Sequence, residues 1–171
     1  MAPVPPQRRI VRWAKEGAIL LALVLGIGAW QTRHHPTGLA PDFALRELGR
    51  EGVVTRDSLA GRPTMLVFWA PWCGVCKVES PNVSWVRDLV GSKAQVLSVV
   101  AGYRSVGEVE ASVKERAMDY PVLLGDDETT GRFGVEAFPT VFFLDEKGHI
   151  RHSATGYTTT LGLLWRLFAP F

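Results

Sequence analysis

Two cysteines are the residues of this chain whose type and spacing point most directly to chemistry. Cys73 and Cys76 are its only cysteines, which excludes a framework of several disulfides and a four-cysteine metal site. They stand where an apolar run, residues 64–70, gives way to a predicted helix, residues 74–90. A thiolate at a helix N-terminus is stabilised by unpaired backbone N–H groups and by the helix dipole, which lowers the pKa of the cysteine. The sequence therefore predicts a redox-active pair with Cys73 as its nucleophile.

The second cysteine is placed to complete such a reaction. Cys76 follows Cys73 by three residues, and residues three apart lie on the same face of a helix. It can therefore attack a mixed disulfide formed by Cys73 and release the bound partner. We predict that Cys76 is the resolving thiol and that Cys73 is the more exposed of the two.

Three other interpretations of the pair stay open. A purely structural disulfide would close a loop of only two residues and so stabilise the fold little. Half of a zinc site would need two more ligands, and the candidates His149 and His152 are three apart on a predicted strand, which puts them on opposite faces. Binding of Cu(I) by two soft thiolate ligands is also chemically reasonable.

The elements that must position this pair alternate between strand-like and helical patterns. Continuous apolar runs predict buried strands, and a turn sequence at residues 145–148 predicts a hairpin. Strand–helix–strand followed by a hairpin and a helix indicates an α/β fold around a mixed sheet. The predicted strands are residues 64–70, 95–101, 122–124, 140–144 and 149–154, with an edge hairpin from 42–45 and 52–56; the predicted helices are residues 74–90, 107–118, 126–133 and 158–168.

The segment around the cysteines resembles a known family. Residues 68–77, FWAPWCGVCK, resemble the active-site segment of thioredoxin-fold disulfide oxidoreductases. Residues 40–45, APDFAL, are similar to the start of the membrane-anchored branch, the TlpA/ResA/DsbE-like proteins. The stretch 102–125 is similar to the strand–helix insertion of that branch. The resemblance covers residues 38–168 and implies a thioredoxin fold that carries this insertion.

A substrate-binding surface follows from the resemblance. Phe138 and Pro139 are similar to the family's cis-proline loop, which packs beside the cysteines and presents backbone groups to an extended peptide. The resemblance assigns substrate binding to these two residues and to Trp72, next to the nucleophile. Pro81, five residues after Cys76, is similar to the proline that kinks the family's active-site helix.

Glu79 is the candidate proton acceptor. It matches an acidic position of the anchored branch and lies one helical turn after Cys76, so the resemblance implies a catalytic role with the resolving thiol. Thioredoxins place a buried aspartate six residues before the first cysteine, where this chain has Val67, which leaves Glu79 or water as the proton acceptor. The alternatives are a solvated surface glutamate and, for the neighbouring Lys77, an ordinary surface lysine.

The charges of the chain are unevenly distributed. Residues 1–37 carry five basic side chains and one acidic side chain, a net charge of +4, whereas the rest carries fourteen basic and sixteen acidic, a net charge of −2. The main part of the chain therefore lacks the basic excess of a nucleic-acid-binding protein, and we expect no nucleic-acid partner.

The basic N-terminus precedes an apolar segment. Residues 17–30 carry no charge, and Trp13 and Trp30 bracket them as an aromatic belt would. We predict a cytoplasmic tail (1–13), a transmembrane anchor or uncleaved signal in the lipid bilayer (14–32), a linker (33–40) and a thioredoxin-like domain (41–171). Because positive charge precedes the span, that domain would face the periplasm from the bacterial inner membrane. A cleaved signal peptide is the alternative.

These observations favour one function and leave rivals. We predict thiol–disulfide exchange with protein cysteines in the cell envelope, with no cofactor or metal and with a membrane electron-transfer partner that keeps the pair reduced. Gly74-Val75 between the cysteines and residues 156–159 look most like the suppressor-for-copper-sensitivity D type, which implies copper tolerance. The alternatives are an apocytochrome c thiol reductase and a copper carrier or holdase. A peroxidase is disfavoured, since the Pro-x-x-x-Thr-x-x-Cys arrangement is absent.

Overall fold

The chain divides into two compact units. The computed structural model describes residues 6–169. One unit ends at Arg33, and the other begins at His34. The second unit contains both cysteines.

The first unit is a helix, α1, over Pro6–Gln31. The predicted cytoplasmic tail lies outside the described residues up to residue 5, and from Pro6 onward it belongs to this helix. Among the residues that the structure describes, no helix is both long and apolar enough to cross a membrane, so the anchor predicted over residues 14–32 is not confirmed.

The second unit is built on one mixed sheet of eight strands among the described residues. The elements are β1 (Gly38–Leu39), β2 (Ala44–Glu47), β3 (Val53–Thr55), β4 (Thr64–Trp69), α2 (Gly74–Val90), β5 (Gln95–Val100), α3 (Val106–Glu115), β6 (Val122–Leu124), α4 (Asp127–Arg132), β7 (Thr140–Leu144), β8 (His149–Thr155) and α5 (Thr160–Phe168). The strands lie in the order β1-β8-β7-β4-β5-β6-β2-β3. Pairing is parallel between β4 and β5 and between β5 and β6, and antiparallel elsewhere.

Strand β4 is central and is buried along its whole length. Its side chains alternate between the two faces of the sheet. Leu66 and Phe68 join an aromatic cluster with Phe133 and Phe142 on one face. Met65 and Val67 pack on the other face against apolar side chains of α2 and α5. The continuous apolar run of β4 therefore reflects burial on both faces, as the sequence predicted, and it fixes the point where Cys73 leaves the sheet.

The second unit starts earlier than the sequence predicted. Residues 33–40 were expected to form a linker, but β1 pairs with β8 within that segment. His35 is buried, its Nδ1 atom lies 2.8 Å from the Ser153 hydroxyl, and its ring contacts Phe142. Gly134 approaches the backbone of His34 so closely that a Cβ atom there would lie 2.5 Å from its carbonyl oxygen. From His34 onward, the expected linker is part of the packed domain.

Candidate active site

The cysteine pair forms a disulfide at the start of α2. Cys73 and Cys76 are joined by an S–S bond. Cys73 is the N-cap residue of α2, and the backbone N–H of Cys76 donates a hydrogen bond to the Cys73 sulfur over 3.1 Å. This geometry agrees with the predicted helix start and gives the Cys73 sulfur a donor that stabilises negative charge.

Exposure does not separate the two cysteines in the disulfide form. Cys73 is 6% exposed and Cys76 is 4% exposed. The prediction that Cys73 is the more exposed thus holds by a margin too small to explain a difference in reactivity. What distinguishes the sulfurs is the hydrogen bond to Cys73, together with the polar side chains near Cys76.

An aromatic surface lies beside the disulfide. Trp72 is 68% exposed, and its Nε1 group donates to the carbonyl oxygen of Gly102 over 3.2 Å. Its ring meets the half-buried Phe138 edge-on, with 5.7 Å between ring centres. The Phe138–Pro139 peptide bond is cis, so the expected cis-proline loop is confirmed. Trp72 and Phe138, predicted from distant parts of the sequence, therefore share one surface.

Glu79 lies inside the protein rather than on its surface. It is 1% exposed, and its Oε1 atom accepts a hydrogen bond from the backbone N–H of Thr158 over 2.7 Å. Burial raises the pKa of Glu79 to about 7, although the bond from Thr158 opposes the shift. The interpretation of Glu79 as a solvated glutamate is wrong. A carboxyl group that titrates near neutral pH is suited to proton transfer.

Glu79 and Cys76 line a common cavity. The cavity has a volume of about 10 Å³, close to the space that one water molecule requires. Val67 and Pro139 contribute to its wall. Val67 is the position where thioredoxins carry their buried aspartate, so here the carboxyl group approaches the cavity from α2 instead of from β4.

Two further residues of this cavity were missed by the sequence analysis. Arg116 and Tyr120 also line it, and they belong to the segment between α3 and β6. Burial raises the pKa of Tyr120 and lowers that of Arg116. No motif marks either residue, and only the path of the chain after α3 brings them to the cavity that Cys76 lines.

The remaining predicted residues of α2 have structural surroundings. Helix α2 continues through Pro81, which lacks the N–H that would normally bond the Lys77 carbonyl. The Ser80 hydroxyl donates to that carbonyl over 3.1 Å instead. Lys77 itself is exposed and pairs with Glu115 of α3 over 2.6 Å, so it is a surface lysine that links two helices.

The fold and the site define a class of protein. A helix that starts at a Cys-x-x-Cys disulfide, next to a cis-proline loop on a mixed sheet, is the arrangement of thioredoxin-like thiol–disulfide oxidoreductases. The Redoxin family matches residues 36–161, and the chain belongs to this family. It is a thiol–disulfide oxidoreductase.

Individual relatives agree with this assignment. Thioredoxin-like protein YneN from Bacillus subtilis is 28% identical over 152 residues, which cover 82% of this chain and 89% of YneN. Thiol-disulfide oxidoreductase ResA from the same organism is 30% identical over 125 residues, covering 70% of this chain and 67% of ResA. The structure of dsbF from Mycobacterium tuberculosis matches with a TM-score of 0.68 at 27% identity, covering 76% of this chain and 98% of dsbF.

Proposed function

We propose that the chain exchanges disulfides with protein cysteines, with Cys73 attacking first and Cys76 resolving. The Cys73 thiolate attacks a substrate disulfide, one substrate sulfur leaves as a thiolate, and a mixed disulfide forms. Cys76 then loses its proton and attacks the Cys73 sulfur, which breaks the bond to the substrate and closes the Cys73–Cys76 bond. Two electrons pass from the enzyme dithiol to the substrate, and each step is reversible.

The observation that carries this proposal is the position of Glu79. It lines the same cavity as Cys76, and its pKa of about 7 lets it accept the Cys76 proton near neutral pH and release it afterwards. The cavity has room for about one water molecule, which would bridge the thiol and the carboxylate. Glu79 is therefore the catalytic base of the resolving step, with Val67 unable to serve.

The substrate surface consists of Trp72, Phe138 and Pro139. The exposed Trp72 ring and the edge-on Phe138 ring form an apolar rim beside the disulfide. Such a rim favours an extended peptide with apolar side chains next to its cysteine. Trp72→Ala should reduce kcat/KM for a protein disulfide while leaving exchange with a small disulfide nearly unchanged.

A stopped-flow experiment tests the role of Glu79. Reduced protein is mixed with an aromatic disulfide that releases a coloured thiolate, so attack by Cys73 and resolution by Cys76 give two successive colour changes. Glu79→Gln should slow the second change about tenfold or more near neutral pH and leave the first unchanged. Glu110→Gln, an exposed glutamate of α3, is the control. Equal resolution rates in all three proteins would refute the role of Glu79.

We also place this reaction outside the cytoplasm. Support comes from the basic residues that precede the uncharged run 17–30, the pattern of exported proteins. A membrane electron-transfer partner would keep the pair reduced there. Cell fractionation with thiol labelling tests the location: labelling of Cys73 by a membrane-impermeant reagent in intact spheroplasts supports export, and labelling only after lysis contradicts it.

Within this class, we propose a role in copper tolerance. The support is the resemblance of Gly74-Val75 and residues 156–159 to the copper-sensitivity suppressor type. Cells carrying Cys73→Ser should grow poorly in copper while keeping their c-type cytochromes. Loss of the cytochromes at normal copper tolerance would assign the apocytochrome c reductase function instead. Anaerobic Cu(I) titration of the parent and of the Cys73→Ser, Cys76→Ser double variant separates exchange from a copper-carrier function.

A further inference from the structure

Arg116 connects the end of α3 to the turn that carries Cys73. Its Nη2 group donates hydrogen bonds to the carbonyl oxygens of Pro71 over 2.6 Å and of Ala70 over 3.4 Å. Its guanidinium carbon lies 4.8 Å from the centre of the Trp69 ring. One side chain thus holds both the end of β4 and the turn that leads into the nucleophile.

The charge of Arg116 also faces the interior. Its side chain lines the cavity shared by Cys76 and Glu79. Burial lowers its pKa, but a guanidinium keeps its proton at any working pH. Its Nε atom is buried and has no hydrogen-bond partner among the described residues. Arg116 as a whole is partly buried, and a partly buried cation with unused hydrogen-bonding capacity is stabilised by a nearby anion.

The other described residues that line the cavity supply no positive charge. Tyr120 faces the cavity, and burial raises its pKa, so it stays neutral near pH 7. The lining residues from β4 and the cis-proline loop, Val67 and Pro139, carry no charge. Nearby surface charges form the ion pairs Lys77–Glu115 and Arg87–Asp119. Among the described lining residues, Arg116 is the single cation.

We propose that Arg116 is a positioning residue of the redox centre: it fixes the turn before Cys73 and stabilises the negative charge shared by Cys76 and Glu79 during resolution. This inference rests on the proposed exchange reaction. When Cys76 gives its proton to the Glu79 carboxylate, one negative charge moves from the carboxylate to the sulfur. Cys76 and Glu79 both line the cavity that Arg116 lines, so its charge favours the ionised pair throughout the transfer.

The consequence is a shift in the pH dependence of resolution. Without the guanidinium, the ionised pair loses a stabilising opposite charge, so the pH midpoint of resolution should rise by about one unit. Below that midpoint the resolving step then slows about tenfold. In the reduced form the Cys76 thiol can ionise in addition to Glu79, so loss of the guanidinium removes stabilisation from that form, and the reduction potential should become more negative.

Full-length Arg116→Met and Arg116→Lys test the proposal in the same two-step stopped-flow assay. Arg116→Met should raise the pH midpoint of the second colour change, and Arg116→Lys, which keeps the charge, should restore most of the shift. Arg132→Met is the matched control, because Arg132 is an exposed arginine of α4 that pairs with Glu128. Its midpoint and potential should equal those of the parent.

A purely structural arginine would give a different result. If Arg116→Met lowers the melting temperature but leaves the pH midpoint and the reduction potential unchanged, the proposal is overturned. Should Arg116→Met fail to fold, Arg116→Gln is measured in the same way, and an unshifted midpoint in that variant also overturns it.

The outcome separates this inference from the role of Glu79. A shift in Arg116→Met with no effect of Glu79→Gln would remove Glu79 as the base and leave Arg116 acting on the Cys76 thiolate alone. A slow Glu79→Gln variant with an unshifted Arg116→Met would keep the base and refute the function of Arg116.

Discussion

Glu79 shows how burial turns an ordinary side chain into a functional group. In water its carboxyl group would be ionised throughout the neutral range, whereas burial in this fold raises its pKa from 4.5 to about 7. The folded protein therefore holds this proton more tightly than the unfolded chain does. Stability linked to Glu79 is complete below about pH 4.5 and is lost as the pH rises through about 7. The difference corresponds to about 3 kcal/mol.

This linkage predicts the pH dependence of a variant. Glu79→Gln keeps an acceptor for the Thr158 N–H and cannot ionise, so its stability should lack the loss between about pH 4.5 and pH 8. In the disulfide form, where the cysteines do not titrate, the difference in unfolding free energy between variant and parent should change by about 3 kcal/mol across this range. Denaturant titrations at a series of pH values measure it.

The exposed Glu110 provides the control for these denaturant titrations. Glu110→Gln should follow the parent at every pH, within about 0.5 kcal/mol. If Glu79→Gln also follows the parent, the Glu79 carboxyl group titrates as it would in water. That result would contradict its proposed role as the proton acceptor for Cys76.

Among the helices and strands, the sequence predicted those bounds that depend on residues close together in the chain. The bounds of α2, β6 and β7 agree with the sequence, because apolar periodicity, the N-cap at Cys73 and the glycine after Val90 all act within a few residues. The edge hairpin of β2 and β3 also formed, with β2 two residues later than predicted and β3 one residue shorter at each end. These features depend on neighbours in sequence.

Contacts between distant segments were not predictable in this way. The short β1 strand exists because β8 offers it an edge, and Arg116 reaches the active site because the chain turns back after α3. The family resemblance supplied Phe138, Pro139 and Glu79 as candidates, but burial of Glu79 required the structure.

Gly102 lies between β5 and α3 and contacts Trp72 at the active-site rim. It has a φ angle of +61°, and a Cβ atom there would lie 3.3 Å from Nε1 of Trp72, which donates to the Gly102 carbonyl. Gly102→Ala should lower the free energy of unfolding by about 1–2 kcal/mol, because an L-residue is strained at positive φ. Urea denaturation measures the change.

A second glycine provides the opposite expectation. Gly131 lies inside α4, and a Cβ atom there would meet open space. Gly131→Ala should therefore stabilise the protein, by up to about 1 kcal/mol. Equal effects of the two substitutions would show that backbone conformation at Gly102 is not what holds the rim.

At the scale of the whole molecule, the boundary of the folded domain is testable. A chain that begins at His34 should keep the melting temperature and the exchange rate of this domain, since that unit contains its hydrophobic core clusters and its active site. A chain that begins at residue 41 removes β1 and the buried His35, so it should lose about 2 kcal/mol or more. Equal stability of the two chains would restore the linker interpretation of residues 33–40.

The proposed reaction requires Cys73 and Cys76 to act in sequence on protein disulfides, and trapping of the mixed disulfide shows whether they do. Full-length Cys76→Ser, incubated with a disulfide-containing protein, should accumulate a covalent complex that mass spectrometry locates at Cys73 and that a reductant releases. Cys73→Ser should form no such complex. Complexes that form equally through Cys76 in the Cys73→Ser variant, or no complex in either variant, would contradict the account.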